Sequence, residues 1–269
     1  MNTTVLIPAY NEASTLSEIL RGVLVHESRV LVVDDGSTDG TADSIADLAV
    51  DVIRHSRNIG KSASLVDGFA WALDRNASRV LTMDGDGQHR AADIARLLHA
   101  ADAYPRAIII GARIRRTECA PPSRRLANRL ADFGVSWAVG RRVLDSQSGQ
   151  RVYPASLLRA LDLRRLSRGS FTLESEIIIE AARLGYATVS VPIDAIYDPL
   201  ARKSYFRPAR HIPSIFAMLA GKLVGKRFNP RGLWTSLRER ATLFDDGADA
   251  RALEPVLQRV REGSQSASS

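Results

Sequence analysis

The chain has 269 residues, of which 45% are hydrophobic and 25% charged, enough to bury a substantial core in one enzyme-sized unit. Cys119 is the only cysteine, which excludes an intrachain disulfide and suits a reducing compartment. The net charge of +7 is uneven: residues 1–100 carry −5 and the remainder +12, so an acidic first part suits a metal and a basic second part suits an anionic partner. Nothing resembles a helix-turn-helix, a zinc finger or an aromatic RNA-binding strand, so nucleic acid is the weakest of the anionic partners. Met1 leads almost directly into Val5-Leu6-Ile7, without the basic and apolar regions of a secretory signal, and a cytoplasmic protein is expected.

In chain order, Val5–Pro8 reads as a strand and about Ala13 to Leu24 as a helix. Val30–Val33 is a second strand, followed by the turn-rich Asp34-Asp35-Gly36-Ser37-Thr38-Asp39-Gly40 and a helix to about Leu48. Val52–Arg54 is a short third strand, and residues 61–74 read as a helix. Val80–Met83 is a fourth strand, then a helix runs from about Ala91 to Ala100, and Ile108–Ile110 is a further buried strand. Residues 112–125, rich in arginine and containing Pro121-Pro122, read as a loop. Helices are expected over 126–140 and 172–184, and a strand over Ala187–Ile193 despite Pro192. This alternation predicts an α/β fold, a mostly parallel central sheet with helices on both faces.

Three strand ends carry polar chemistry. After the first come Pro8-Ala9-Tyr10-Asn11-Glu12, where Tyr10 could stack on a base and Glu12 could bond a ring or sugar. The bland alternative is a helix N-terminus with Asn11 and Glu12 as capping residues. After the second, Asp34 and Asp35 could grip a ribose or base edge, while Asp39 or Thr41 caps the chain that follows. After the fourth, Asp84 and Asp86 stand one residue apart in Met83-Asp84-Gly85-Asp86-Gly87-Gln88-His89. Two such carboxylates repel unless a cation or protons neutralise them, and Mg²⁺ commonly takes one or two carboxylates plus phosphate oxygens. A solvated Asp-Gly turn is the alternative for that segment alone.

These motifs, with Arg57-Asn58-Ile59-Gly60-Lys61 between them, stand in an order and spacing that resembles the family 2 inverting glycosyltransferases of GT-A fold. Within that family the chain is most similar to the dolichyl/polyprenyl-phosphate mannosyltransferase-like branch. The likeness continues through Gly111-Ala112-Arg113, Asp145-Ser146-Gln147-Ser148-Gly149, Phe171–Gly185 and Val189–Ile193, covering about residues 3–210. It implies a Rossmann-like nucleotide-diphospho-sugar transferase domain over 1–210, with a 211–240 region and a 241–269 extension whose end reads as disordered.

The resemblance further implies that Pro8, Tyr10, Asn11, Glu12, Asp35 or Asp34, and Lys61 contribute to the donor site. Asp84 would sit near the ribose and diphosphate, and Asp86 and Gln88 would help to ligate Mg²⁺ or Mn²⁺. Arg113 and Arg124 or Arg125 would meet the donor diphosphate or the acceptor phosphate, where the planar guanidinium is bidentate. The implied catalytic set is Asp84, Asp86, Asp145 and Arg113. An ionised polyprenyl phosphate, its second pKa about 6, needs little help from a base. A hydroxyl acceptor on a glycolipid, an envelope polysaccharide or a polyene pigment would need one, with Asp145, Glu174 and Glu176 available. Glu174 also reads as a first-turn acid on a helix dipole.

Two departures bear on the acceptor. The family's Ser-Gly-Phe-Arg reads Ser148-Gly149-Gln150-Arg151, and its Ser-Lys pair reads Ser204-Tyr205, with Lys203 adjacent. Ile212–Gly221 is apolar but about half the ~20 residues needed to span a bilayer. With Lys222, Lys226 and Arg227 following, residues 212–228 are expected as an interfacial helix, or else as a core-packed one, holding the protein peripherally at the inner face of the cytoplasmic membrane. The Asp-x-Asp-Gly run also resembles the nucleophile loop of haloacid dehalogenase-type phosphatases, but it follows the fourth strand rather than the first. A P-loop at Gly60-Lys61-Ser62 fails because His55 stands where the first glycine must be. A binding-only sugar-nucleotide protein is the remaining alternative.

Overall fold

Short buried strands alternating with amphipathic helices build one seven-stranded sheet in the computed structural model, which describes residues 2–115, 122–163, 172–194 and 229–244, together with 196 and 221. The elements are β1 (Thr3–Ala9), α1 (Leu16–Leu24), β2 (Val30–Asp34), β3 (Asp51–Arg54), α2 (Lys61–Asp74), β4 (Arg79–Thr82) and α3 (Ile94–Ala103). There follow β5 (Ala107–Arg115), α4 (Pro122–Val139), β6 (Arg151–Pro154), α5 (Ala155–Ala160), α6 (Leu173–Arg183), β7 (Ala187–Asp194) and α7 (Pro230–Arg238).

The sheet order is β3-β2-β1-β4-β6-β5-β7, with β6 antiparallel to both neighbours and the other pairs parallel. From β1 the chain steps outward through β2 to β3 and then returns to place β4 on the other side of β1. The loops leaving β1 and β4 therefore diverge at a topological switch point, where open α/β sheets form a crevice at their carboxyl ends.

Two apolar layers cover the sheet, and the strand alternation assigns residues to them. Leu6, Leu31 and Val33 join Phe69 of α2 and Ile177 of α6 on one face, while Val5, Ile7, Val30 and Val32 join Leu16, Leu20 and Leu97 on the other. Gly68 lets α2 lie close to β1, since a Cβ there would collide with the Leu6 side chain. Strand β3 is a short, charged edge, the usual protection against edge-to-edge pairing.

Several elements differ from the sequence reading. The helix expected to about Leu48 is reduced to a 3-10 turn over Asp43–Ile45. Asp39 accepts from the backbone N–H of Thr41 (3.0 Å) and of Ala13 (3.1 Å), side-chain bonds that compete with helix formation. The expected 112–125 loop is strand through Arg115, where β7 pairs along β5, and helix from Pro122. Pro192 is tolerated because β7 is the outermost strand of the sheet order. Residues 242–244 run beside β7, with the Ser190 N–H donating to the Thr242 carbonyl (2.9 Å) and the Phe244 N–H to the Ser190 carbonyl (2.9 Å). Strand β6 and helices α5 and α7 have no counterpart in the sequence reading. Strand β6 is only Arg-Val-Tyr-Pro, too short to show a period.

Candidate active site

The loops after β1 and β2 are stitched to one another by side chains. The Asn11 N–H donates to Ser37 Oγ (2.8 Å) and the Thr38 N–H to Asn11 Oδ1 (2.8 Å), while the Glu12 N–H donates to Thr41 Oγ1 (2.9 Å). Asn11 adopts φ +54°, a left-handed conformation that asparagine tolerates better than most residues. Pro8, Tyr10 and Glu12 lie half-buried at the same strand end. The Thr15 hydroxyl reaches the Gly85 carbonyl (3.2 Å), which ties this pair of loops to the acidic loop after β4.

Both carboxylates at the end of β2 are buried and engaged. Asp34 accepts from the Ser37 N–H (2.9 Å) and has the Arg54 guanidinium 3.3 Å from its other oxygen. Asp35 accepts from the Ile59 N–H (2.9 Å) and the Gly60 N–H (2.7 Å), and its Oδ1 meets His55 Nδ1 at 2.9 Å. These bonds fold residues 55–60 over Gly36, whose φ is +71° and whose Cβ, if present, would collide with the Arg57 backbone. An open groove of about 410 Å³ runs between Gly36–Thr38 and Arg54–Ser56.

Beyond β4, Lys61 at the start of α2 brings two acids together. Its Nζ lies 2.6 Å from Asp84 and 3.1 Å from Glu174 in the first turn of α6. Burial opposes charge on Lys61 and on Asp84. The two carboxylates nevertheless raise the Lys61 pKa, and Lys61 holds Asp84 down to about 2. Burial, reinforced by Asp84's like charge, pushes Asp86 up, and its Oδ1 accepts from the Gln88 N–H (3.1 Å). The buried His89, 4.0 Å from Asp84, is driven down to about 4 by burial and then by the Arg113 charge. A Cβ at Gly149 would collide with the Asp84 carboxylate, so the 145–151 loop reaches the acidic loop only because glycine stands there.

The third part of the site is assembled from β5, α4 and the loop before β6. Arg113 Nε and a terminal nitrogen donate to the two Asp145 oxygens (2.8 and 2.9 Å), and the Arg113 N–H adds a third bond (2.8 Å). Burial raises the Asp145 pKa, but Arg113 outweighs it and the net direction is down. Asp145 has φ +48°, and that turn is capped from α4 by Asp132, which accepts from the N–H groups of Asp145 (3.1 Å) and Ser146 (2.7 Å). Burial and the nearby Asp145 charge push Asp132 up to about 7.

Beneath this loop the Arg151 side chain is fully buried and donates to the carbonyls of Ser148 (2.6 Å), Ser146 (2.7 Å) and Glu174 (2.9 Å). Gln150, where the family has an apolar residue, is also buried, and its amide nitrogen donates to the Arg90 carbonyl (3.2 Å). The polar substitution is thus accommodated inside the loop's support.

Of the residues singled out in the sequence, Lys61, Asp84, Glu174, Arg113 and Asp145 form two ion-paired groups, bridged by the contact of Gly149 with Asp84. Asp86 and Gln88 share the acidic loop, and Tyr10 to Glu12 with Asp34 and Asp35 form the neighbouring strand ends. Arg125 is half-buried on α4, whereas the Arg124 side chain, Lys203 and residues 212–228 apart from Gly221 lie outside the described residues. His89, Asp132 and Arg151 went unassigned in the sequence. His89 ends the acidic run and Arg151 ends the Ser-Gly-Gln-Arg motif, so both carry a local signal, whereas Asp132 carries none. Asp84 and Asp86 with the Gln88 amide make a hard-oxygen set suited to a divalent cation that shares phosphate oxygens; no cluster of three His, Cys, Asp or Glu placed to hold a metal occurs among the described residues.

A switch-point crevice lined by acids, with arginine on its far side, on a mostly parallel sheet with one antiparallel strand inserted between β4 and β5, defines a GT-A-type nucleotide-diphospho-sugar transferase fold. The structure of glucosyl-3-phosphoglycerate synthase from Mycobacterium tuberculosis, solved with Mn²⁺, uridine diphosphate and phosphoglyceric acid, matches it with a TM-score of 0.64 at 18% identity, over 84% of this chain and 78% of that one. The chain belongs to glycosyl transferase family 2, whose model matches residues 4–161. It is 29% identical over 259 residues to the undecaprenyl-phosphate mannosyltransferase of Micrococcus luteus, covering 90% of this chain and 100% of that protein. It is 33% identical over 203 residues to the polyprenol monophosphomannose synthase of Mycolicibacterium smegmatis, covering 71% of this chain and 76% of that one.

Proposed function

We propose that the protein transfers a sugar, with inversion, from a nucleotide-sugar donor such as GDP-mannose or a UDP-hexose to a polyprenyl phosphate at the cytoplasmic face of a membrane. The observation that carries this reading is the pairing of Asp145 with Arg113 opposite the Asp84–Asp86 loop. A carboxylate held below its ordinary range by a bidentate arginine is a poor general base, and a hydroxyl acceptor would need one. A phosphate monoester is already anionic and needs only positioning. The names of the polyprenyl-phosphate relatives point the same way.

In this reading Pro8, Tyr10, Asn11, Glu12 and the Asp34–Asp35 strand end surround the base and ribose. Asp84, Asp86 and Gln88 would hold Mg²⁺ or Mn²⁺, and the bound cation would neutralise charge on the leaving diphosphate. Lys61 orients Asp84 and fixes its ionised state. Arg113, steered by Asp145, meets the acceptor phosphate, with Arg125 on the adjoining helix. An acceptor phosphate oxygen attacks the anomeric carbon from the face opposite the diphosphate. The new C–O bond forms as the bond to the diphosphate breaks, and the bonding pair leaves with the nucleoside diphosphate.

The test is a thermal-shift screen of nucleotide sugars with Mg²⁺ or Mn²⁺ on wild type and Asp86→Ala, followed by radiolabelled transfer to a short-chain prenyl phosphate. A stabilising donor should require both the metal and Asp86, and transfer should follow the same donor. Stabilisation indifferent to both would refute the donor mode, and metal-dependent binding without transfer to phosphate or hydroxyl acceptors would favour a binding-only protein.

A further inference from the structure

Three charged side chains meet where α2 begins, and their charges do not balance. Lys61 Nζ lies 2.6 Å from Asp84 Oδ1 and 3.1 Å from Glu174 Oε1, so one ammonium serves two carboxylates. Arg113 is held by Asp145, and the buried Arg151 donates to main-chain carbonyls. A lysine at the first position of a helix is opposed by the helix dipole, which favours acids there. The two acids, rather than any need of α2, therefore account for its placement. A plain ion pair would need only one of them.

The acids are fixed, and the lysine is the member that can move. The Asp84 carboxylate packs on Gly149, where a Cβ would collide with it, and its Oδ2 faces the buried His89 at 4.0 Å. Glu174 is tied down through its own carbonyl, which accepts from Arg151 (2.9 Å). The chain just before Lys61 is held as well, because Asp35 accepts from the Ile59 and Gly60 N–H groups. Displacement is thereby confined to the flexible four-carbon lysine stem. We propose that Lys61 is a resident counter-ion that a divalent cation must displace from Asp84, and that Glu174 is the carboxylate that keeps it. Both roles rest on the donor-site reading above, in which Asp84, Asp86 and the Gln88 amide supply hard oxygens to the cation.

Electrostatics calls for such an exchange. An ammonium 2.6 Å from Asp84 and a divalent cation on the same carboxylate would repel one another strongly. A partly buried lysine stripped of every partner is costly, and Glu174 spares Lys61 that state. Lys61 thus keeps the acidic loop neutralised until the donor's diphosphate brings negative charge of its own. A lysine that only braced Asp84 predicts the opposite sign, because its removal would disorder a metal-binding carboxylate and weaken metal binding.

The experiment is a Mn²⁺ titration of the full chain, without nucleotide or acceptor, read from the electron paramagnetic resonance signal of the free ion. Lys61→Met should bind Mn²⁺ about tenfold tighter than wild type, because a competing positive charge is gone. Lys61→Gln should do the same while keeping a hydrogen-bond donor for the two acids, so the test survives if the methionine variant fails to fold. Lys61→Arg keeps the charge and should stay within about threefold of wild type. Glu174→Gln should weaken Mn²⁺ binding by a factor about threefold larger with Lys61 present than in the Lys61→Gln background, a coupling that independent charges would not show. Unchanged or weaker binding in the neutral variants overturns the proposal, as does a Lys61→Arg variant that binds as tightly as they do. Equal weakening by Glu174→Gln in the two backgrounds overturns it too. In each of these cases the metal-dependent donor reading stands. A wild type that binds Mn²⁺ neither alone nor with GDP or UDP would refute that reading, and the exchange with it.

Discussion

The two sides of the crevice are held by different physics. On the side proposed for the donor, Asp34 and Asp35 are fixed largely by backbone N–H groups from loops close in sequence, and Gly36 allows one loop to lie on the next. On the side proposed for the acceptor, the 145–151 loop is held by charged side chains drawn from β5, α4 and β6: Arg113, Asp132 and Arg151. Backbone donors are insensitive to pH and to side-chain substitution. Buried charges are neither, so the acceptor side should be the part more easily broken by mutation and tuned by pH.

Arg151→Ala should show the largest effect. It leaves three carbonyls without their shared donor, and a loss of about 3–5 kcal/mol is expected in urea unfolding, with partial recovery in Arg151→Lys. On the donor side, Gly36→Ala should cost about 2–3 kcal/mol, from its positive φ and the collision with the Arg57 backbone. If Gly36→Ala proves the more damaging of the two, the contrast between the sides is wrong.

Arg113→Lys keeps the charge and loses the fork on Asp145. About a tenfold rise in acceptor KM, with donor KM within about twofold, is the expected split, and parallel changes in both would dissolve the distinction. The smallest effect separates the sides by pH. Asp132 ionises near 3.8 when unexposed to the fold and at about 7 within it, so the native state binds more protons between those values and stability falls as pH rises through that window. Asp84 runs oppositely. Lys61 pulls it to about 2, and its contribution, present above 3.8, is lost as pH falls through about 2. Asp132→Asn should therefore flatten the decline in Tm between about pH 4 and 7 and leave the acid limb below it unchanged.

Much of the donor side was legible because its motifs are local. The runs at 8–12, 34–41 and 83–89 each follow a strand whose apolar residues announce it, and a parallel sheet places such ends together. The role of Asp39 was legible only as capping; its bond to the Ala13 N–H crosses from one loop to the next. The acceptor side was harder to read. Asp132 stands within a helical run like any surface acid, and Arg151 begins a four-residue strand that shows no period.

By itself the sequence determined the βα alternation, the three polar strand ends and the acidic pair at 84 and 86, because strand burial and loop polarity are properties of contiguous residues. Only the tertiary structure decided that Lys61 reaches Glu174 across 113 positions, that Arg113 locks Asp145 across 32, and that β6 enters antiparallel between β4 and β5 to carry that loop to the acids. The energy of such pairs depends on distance and burial in space, and spacing along the chain encodes neither.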